Sequence, residues 1–184
     1  MSIATQKLIT AEEFARMPNP PDGSQQELVR GVIVTMPPPG GLHGFCCLKV
    51  GLKVGNFVDG QQLGTVVSND TGFILERNPD TVRGPDVSFW SKESLPTVPR
   101  GYIEVPPDLA VEVVSPDDHF ARINRKLVEY TARRIRLVWI VDPEDRSVTV
   151  YRPDQPPKIL GENDTLSGED VLPGFSCLVR ALFP

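Results

Sequence analysis

The sequence predicts an α/β fold in which helices flank a mixed central β-sheet, and three observations lead to this prediction. Helical and strand-like segments follow one another in the order helix, strands, helix, strands. Residues 135–141 form a nearly continuous apolar run, which is typical of a strand in the middle of a sheet. The 184 residues contain no internal repeat and no linker-like segment, so one domain over residues 1–184 is expected.

Three segments have the sequence features of helices. Thr10 and Glu13 have the spacing of a capping box, in which each side chain accepts a hydrogen bond from the backbone amide of the other residue. Ser115 and Pro116 occupy the positions expected of an N-cap and a first helical residue. Between these two starts, apolar residues recur at intervals of three and four. The predicted helices are Thr10 to about Met17, Leu42 to about Val58, and Pro116 to about Arg134.

Short runs rich in β-branched and aromatic residues predict the strands. A β-hairpin is expected over residues 27–34, with Arg30 and Gly31 at the turn. Further strands are expected at residues 64–67, 71–75, 86–90, 109–114, 135–141 and 147–151. Residues 158–160 and 171–175 have the features of edge strands or loops.

The composition excludes several classes of protein. The net charge of -5 and the isoelectric point near 5.1 argue against a protein that coats nucleic acid with its whole surface, although a local basic site is compatible with them. No apolar run approaches the length of a membrane span, and the first ten residues lack the features of a signal peptide. We therefore expect no membrane association and a cytoplasmic location.

The cysteines show no sequence pattern of a metal site, a disulfide framework or a catalytic nucleophile. Cys46, Cys47 and Cys177 have no metal-ligand spacing and cannot form an even set of disulfides, so buried thiols are expected. The only histidines are His43 and His119, and the sequence pattern pairs neither with Cys46 or Cys47. A cysteine nucleophile is therefore disfavoured.

The most informative feature is a pair of carboxylates in predicted buried strands. Asp86 begins one strand and Glu112 lies in the middle of the next. Burial of a carboxylate is costly unless a partner offsets it, and one divalent cation could serve both residues. Alternatively, Asp86 caps a turn and Glu112 meets an arginine. A glycosidase could also use two carboxylates, but 7% aromatic residues are few for a sugar cleft.

The third predicted helix brings positive charge to the same region. Lys126 and Tyr130 share one of its faces, and Lys126 either points inward, to stabilise charge beside the carboxylates, or extends into water. The basic residues around it form either a phosphate-binding surface or a solvated helix face with Arg125 paired to Glu129. These residues, opposed by Glu129 alone, are Arg122, Arg125, Lys126, Arg133, Arg134 and Arg136.

From Thr10 to Phe183, the chain resembles the Uma-two family of restriction-endonuclease-like proteins, a bacterial branch of the PD-(D/E)XK nuclease-like superfamily. The order and spacing of several short motifs carry the resemblance. They are residues 27–31 (ELVRG), the approach from Pro37 to His43, residues 71–73 (TGF), 85–87 (PDV), 112–116 (EVVSP), Lys126 to Tyr130, and 137–143 (LVWIVDP). The fold that the resemblance implies is a restriction-endonuclease-like mixed central sheet flanked by helices.

The resemblance implies a metal site. Asp86 matches the aspartate that binds Mg²⁺, Glu112 matches the acidic residue of the (D/E)XK element, and the carbonyl of Val113 would supply a further ligand. Glu27 matches an acidic residue near the start of the fold that often acts through water. Hard oxygen ligands such as these suit Mg²⁺ or Mn²⁺ better than zinc.

One position departs from the superfamily pattern. The lysine expected two residues after the acidic residue is Val114 here, and the resemblance implies that Lys126 takes its place from the following helix. Asp86, Glu112, Lys126 and Glu27 are thus the candidate catalytic residues. His43 and Tyr130 match other family positions, whose roles the sequence does not define.

The expected function is that of a metal-dependent endonuclease that hydrolyses phosphodiester bonds of nucleic acid, with DNA as the favoured partner. A homodimer is expected, because two-fold symmetry is the commonest oligomeric arrangement and because two sites are needed to cut both strands of a duplex. The alternative is a non-catalytic module that keeps the fold and binds nucleic acid or protein. The convergence of Glu27, Asp86, Glu112 and Lys126 in one cleft would favour the enzyme.

Overall fold

The computed structural model describes residues 7–115 and 120–184, and within these ranges it contains three α-helices and twelve strands. The helices are α1 (Ala11–Ala15), α2 (Gly41–Gln61) and α3 (Phe120–Ala132). The strands are β1 (Gln25–Val29), β2 (Val32–Met36), β3 (Gly64–Ser68), β4 (Phe73–Glu76), β5 (Thr81–Arg83), β6 (Val87–Ser91), β7 (Leu109–Val113), β8 (Leu137–Asp142), β9 (Ser147–Tyr151), β10 (Lys158–Leu160), β11 (Thr165–Ser167) and β12 (Ser176–Leu178).

The larger sheet has six strands in the order β10-β9-β8-β7-β6-β3. Strands β7 and β8 pair in parallel and the other neighbours pair antiparallel, so the sheet is mixed, as the sequence predicts. Every residue of β7 is buried, because both faces of this central strand are covered.

Helices cover the two faces of this sheet, and alternate residues of β7 show which face is which. Leu109 and Val111 belong to an apolar cluster with Val50 and Val54 of α2. Ala110 belongs to a second cluster with Leu127 of α3. Because Glu112 is two residues after Ala110, its side chain is directed towards the α3 side.

The smaller sheet has the order β2-β1-β5-β4 and contains the predicted hairpin. The β1–β2 turn consists of Arg30 and Gly31, which both have positive φ angles, of 50° and 76°. A two-residue turn with positive φ angles at both residues matches the right-handed twist of the two strands that it joins. Strand β5 then runs into β6 through Gly84 and Pro85, so the chain passes directly from the smaller sheet to the larger one.

Most predicted elements are present, with a few differences at the ends. The capping box is confirmed, since the Thr10 side chain accepts from the Glu13 amide at 3.1 Å and the Glu13 side chain from the Thr10 amide at 3.0 Å. Strands β5, β11 and β12 were not predicted, and residues 171–175 form a loop. The predicted helix start at Pro116 lies outside the described residues, as does His119. Within the part of the chain that the structure describes, no helix is long and apolar enough to cross a membrane.

Candidate functional site

Strands β6 and β7 bring the two predicted carboxylates together. Val87 pairs with Val111 in antiparallel register, so Asp86, which precedes β6, lies beside the end of β7 that carries Glu112. Oδ2 of Asp86 accepts a hydrogen bond from the amide of Val113 at 2.6 Å, and this bond fixes the carboxylate against β7. Both carboxylate side chains are about one-tenth exposed or less, as the sequence predicts for strand residues.

Helix α3 supplies the partners of Glu112. Lys126 Nζ donates to Oε2 at 2.8 Å and the Tyr130 hydroxyl donates to Oε1 at 2.6 Å. Lys126 therefore points inward, and its extension into water is ruled out. Burial lowers the pKa of Lys126, but Glu112 and Glu27 raise it by more, so the pKa lies above its usual value and the lysine is charged at neutral pH.

Glu112 itself resists ionisation in this setting. Burial raises its pKa to about 7; Lys126 opposes this shift, whereas Asp86 and Glu27 add to it. Half-buried Asp70, on the loop after β3, behaves in the same way: burial and the nearby Asp86 raise its pKa to about 6. Negative charge is thus in excess around these carboxylates.

Glu27 reaches the same place from the smaller sheet. Its Oε1 lies 3.1 Å from Lys126 Nζ and 3.2 Å from the amide of Gly84, and its Oε2 accepts from Arg83 Nη1 at 2.6 Å. Burial raises the pKa of Glu27, but the attraction of Lys126 and Arg83 is larger, so the pKa falls below its usual value. Glu27 is therefore an ionised carboxylate held by two cations.

Arg83 links this carboxylate to α3. Its Nε donates to Oε2 of Glu129 at 2.7 Å, while Nη1 holds Glu27. Glu129 therefore pairs with Arg83 and not with Arg125, the partner considered in one of the two interpretations of the basic stretch. No local pattern indicates this role for Arg83, because the three-residue strand β5 is too short to have a recognisable periodicity.

Most of these groups line a cleft of about 750 Å³. Its walls include every candidate catalytic or metal-binding residue that the sequence suggested: Glu27, Asp86, Glu112, Val113 and Lys126. His43 and Asp70 also line the cleft, and Asp70 was not anticipated. The structure therefore brings the predicted residues together, and the acidic and basic groups meet where β1, β6, β7 and α3 converge.

Helix α2 adds a histidine and a thiol. His43 Nε2 lies 3.2 Å from Oδ1 of Asp86, and His43 Nδ1 lies 3.3 Å from Sγ of Cys47. Burial lowers the pKa of His43, but Asp86 more than offsets this and the pKa is raised overall. The expectation that no histidine accompanies Cys47 was wrong, although their spacing of four on a predicted helix was a usable signal. Burial raises the pKa of Cys47 well above its usual value, and Asp86 adds to the shift, which still disfavours a thiolate nucleophile.

The basic stretch around α3 does not form one continuous surface. Lys126 is buried, while Arg133 lies 3.3 Å from Glu76 and Arg134 lies 3.8 Å from Asp154. Arg136 contacts Asp170 at 3.0 Å. These acidic partners come from distant parts of the sequence, which is why Glu129 seemed to be the only opposing charge. Arg122 lines the cleft.

Two sets of ligand atoms could hold a metal, and they share Asp86. The first is the all-oxygen set that the resemblance implies, namely Asp86, Glu112 and the carbonyl of Val113, and all three residues line the cleft. The second consists of His43, Cys47 and Asp86, whose ligand atoms all lie within 4.8 Å of one another. Their chemistry differs, since the first suits a hard cation and the second a thiophilic one.

Comparisons with known proteins agree with the fold and with the resemblance described above. A family model described as "Uma2: Putative restriction endonuclease" matches residues 11–180. Among solved structures, the chain is similar to a protein of Anabaena variabilis whose crystal structure is described as that of a putative nuclease belonging to DUF820. This match has a TM-score of 0.80 at 21% sequence identity, and it covers 95% of this chain and 97% of that chain. No protein with a curated description matches. The structural likeness confirms the predicted fold class.

Proposed function

The chain belongs to the Uma2 family of putative restriction endonucleases, and on this premise we propose that it is a metal-dependent endonuclease that hydrolyses phosphodiester bonds of nucleic acid. The observation that carries the proposal is the convergence of Glu27, Asp86, Glu112 and Lys126 in one cleft, with Lys126 2.8 Å from Glu112 and 3.1 Å from Glu27. Paired carboxylates beside a buried lysine are the groups that phosphodiester hydrolysis needs.

The residues present fit a hard divalent cation. Asp86, Glu112 and the Val113 carbonyl would hold Mg²⁺ or Mn²⁺, because these ions prefer oxygen ligands. Burial raises the pKa of Glu112 to about 7 and that of Asp70 to about 6, and the neighbouring carboxylates add to both shifts. A bound cation would balance this negative charge. When bound, the ion supplies Lewis-acid polarisation of the phosphate and a more acidic water.

The protein groups would position the substrate and stabilise charge. Lys126 is held between Glu112 and Glu27, and its raised pKa keeps it protonated, so it acts as a cation and hydrogen-bond donor rather than as a base. Tyr130 and Arg83 act indirectly, since they orient Glu112 and Glu27 respectively. Arg122 lines the wall of the cleft and adds positive charge there, which favours a phosphate-containing substrate.

The remaining expectations extend this proposal. DNA is the favoured substrate, and a cytoplasmic homodimer that acts through one domain per chain would present two sites to the two strands of a duplex.

A cleavage assay tests the proposal. Supercoiled plasmid, single-stranded DNA and RNA would each be incubated with wild-type protein and Mg²⁺ or Mn²⁺, beside Glu112→Gln and the matched surface variant Glu93→Gln. We expect cleavage by wild type and by Glu93→Gln, and none by Glu112→Gln or in the presence of a chelator. Equal cleavage by Glu112→Gln would overturn the assignment. Nucleic-acid binding without cleavage of any substrate would favour the non-catalytic module.

A further inference from the structure

One thiol beside the cleft takes no part in the chemistry proposed above. Cys47 lies one turn after His43 on α2 and is half-buried. Its Sγ lies 3.3 Å from Nδ1 and 3.8 Å from Nε2 of His43, and this Nε2 lies 3.2 Å from Oδ1 of Asp86. A thiol, an imidazole and a carboxylate thus meet at one point.

The spacing of these atoms suits a tetrahedral ion. Zinc takes sulfur at about 2.3 Å and nitrogen or oxygen at about 2.0 Å, so tetrahedral ligands lie roughly 3.3–3.6 Å apart. The Nε2–Oδ1 distance of 3.2 Å and the Nε2–Sγ distance of 3.8 Å are close to these values. Sγ lies nearer to Nδ1 than to Nε2 of His43, so the imidazole has to turn before Nε2 directs its lone pair at a centre shared with Sγ and Oδ1.

The elements that carry these ligands are well anchored. His43 and Cys47 stand four residues apart on a helix whose buried face includes Cys46 and Val50. Asp86 is fixed by the amide of Val113 through Oδ2, which leaves Oδ1 directed at His43. Because His43 and Asp86 line the cleft, an ion has a route from solvent.

We propose that His43, Cys47 and Asp86 form a second metal site, which binds a thiophilic divalent cation such as Zn²⁺ and shares Asp86 with the all-oxygen set. On binding, the Cys47 thiol loses its proton to solvent as the metal–sulfur bond forms, and neutral His43 binds through a ring nitrogen. Three protein ligands leave a fourth position for water.

Sharing Asp86 makes the two sites compete. An ion held by His43 and Cys47 would occupy Oδ1 of Asp86, whose Oδ2 already accepts from the Val113 amide, so Mg²⁺ or Mn²⁺ would lose a ligand. Zn²⁺ would then act as an inhibitor of the cleft; this consequence, unlike zinc binding itself, rests on the proposed function. Selectivity follows from ligand type, since thiolate and imidazole favour zinc whereas Mg²⁺ prefers oxygen.

Cobalt is the probe for this site, because a thiolate bound to Co²⁺ gives a charge-transfer absorption band. Wild type, Cys47→Ser and the matched control Cys177→Ser, which alters another half-buried thiol, would be titrated with Co²⁺. We expect the band to saturate at one equivalent in wild type and Cys177→Ser, and to be absent in Cys47→Ser. A band that persists in Cys47→Ser, or Co²⁺ binding by wild type without a band, would overturn the proposal.

A second measurement needs no variant. Zn²⁺ should protect Cys47 of the wild-type protein from alkylation, measured by mass spectrometry, while Cys177 reacts at an unchanged rate. Equal alkylation of Cys47 with and without Zn²⁺ would contradict the site, even if Cys47→Ser fails to fold.

The competition is tested separately. One equivalent of Zn²⁺ should weaken Mn²⁺ binding by about tenfold or more in wild type and leave it unchanged in Cys47→Ser. Glu112→Gln should lose Mn²⁺ binding yet keep the cobalt band. A cobalt band without Mn²⁺ binding in wild type would remove the proposed nuclease site and leave the zinc site standing, whereas Mn²⁺ binding without a cobalt band would do the reverse.

Discussion

Lys126 and Glu112 form a buried ion pair between α3 and β7, with Nζ 2.8 Å from Oε2. The same lysine lies 3.1 Å from Glu27, so one ammonium group joins carboxylates from both sheets. The positive charge of Lys126 explains why Glu112 and Glu27 tolerate burial. Lys126 is therefore the group that holds these two carboxylates together in the cleft.

Removal of that charge should be strongly destabilising. Lys126→Met leaves Glu112 and Glu27 without their common partner, and loss of one member of a buried pair costs about 3–5 kcal/mol. Urea unfolding of wild type, Lys126→Met and the exposed neighbour Arg125→Met would measure this. We expect the free energy of unfolding to fall only in Lys126→Met; a loss below about 1 kcal/mol would mean that the pair contributes little.

Neutralisation of Asp86 should abolish Mn²⁺ binding without unfolding the protein. Asp86→Asn keeps an oxygen that can accept from the Val113 amide, but removes the charge that a divalent cation needs. Calorimetric titration of Asp86→Asn beside Asp59→Asn, an exposed aspartate of α2, compares a cleft residue with a surface one. Retained Mn²⁺ affinity in a folded Asp86→Asn would remove Asp86 from the metal site.

The raised pKa of Glu112 predicts a pH dependence of stability. The folded protein holds this proton more tightly than the unfolded chain, because burial raises the pKa from 4.5 to about 7. The stability that this carboxyl contributes is therefore fully present below about pH 4.5 and is lost as the pH rises through about 7. Glu112→Gln cannot titrate, so the stability of wild type relative to this variant should fall between pH 5 and pH 8. A constant difference across that range would show that the pKa of Glu112 is not raised.

The same proton predicts weaker metal binding in acid. A cation must displace the proton from Glu112, so the apparent Mn²⁺ affinity should fall by up to about tenfold per pH unit below pH 7. Titrations at pH 6, 7 and 8 would measure this slope. An affinity that does not change with pH would indicate that Glu112 is not a ligand.

Tyr130 should matter through its hydroxyl rather than its ring. Tyr130→Phe keeps the contact with Phe73 but removes the 2.6 Å hydrogen bond to Glu112. Hydrogen bonds to charged groups contribute about 1.5–3 kcal/mol, so thermal unfolding should reveal a loss of that size. Tyr151→Phe, at a half-buried tyrosine of β9, is the matched control and should change stability by less than about 0.5 kcal/mol.

Local sequence patterns were sufficient for some parts of the site. The apolar run on both sides of Glu112 predicted a carboxylate on a buried strand, and the spacing of Lys126 and Tyr130 predicted a shared helix face. Both features depend only on residues a few positions apart in the sequence. The resemblance to the family added Glu27, whose place in the cleft no local pattern indicates.

The rest depends on contacts between distant segments. Arg83 acts through Glu27 and Glu129, which are far from it in the sequence, and the strand that carries it is too short to have a period. Asp70 reaches the cleft from a loop in which Asn69 and Asp70 both adopt left-handed backbone angles. Positive φ angles at these residue types are permitted but not dictated by the sequence, so the direction of the Asp70 side chain could not be foreseen.

The spread of the cleft residues along the chain, from Glu27 to Lys126, has a consequence for biosynthesis. Glu27 lies on β1 and Lys126 on α3, and the other carboxylates of the cleft, Asp70, Asp86 and Glu112, lie between them in the sequence. A nascent polypeptide that has not yet emerged beyond α3 carries isolated carboxylates and no complete cleft. The complete cleft therefore forms only after translation has passed residue 126 and both sheets have assembled.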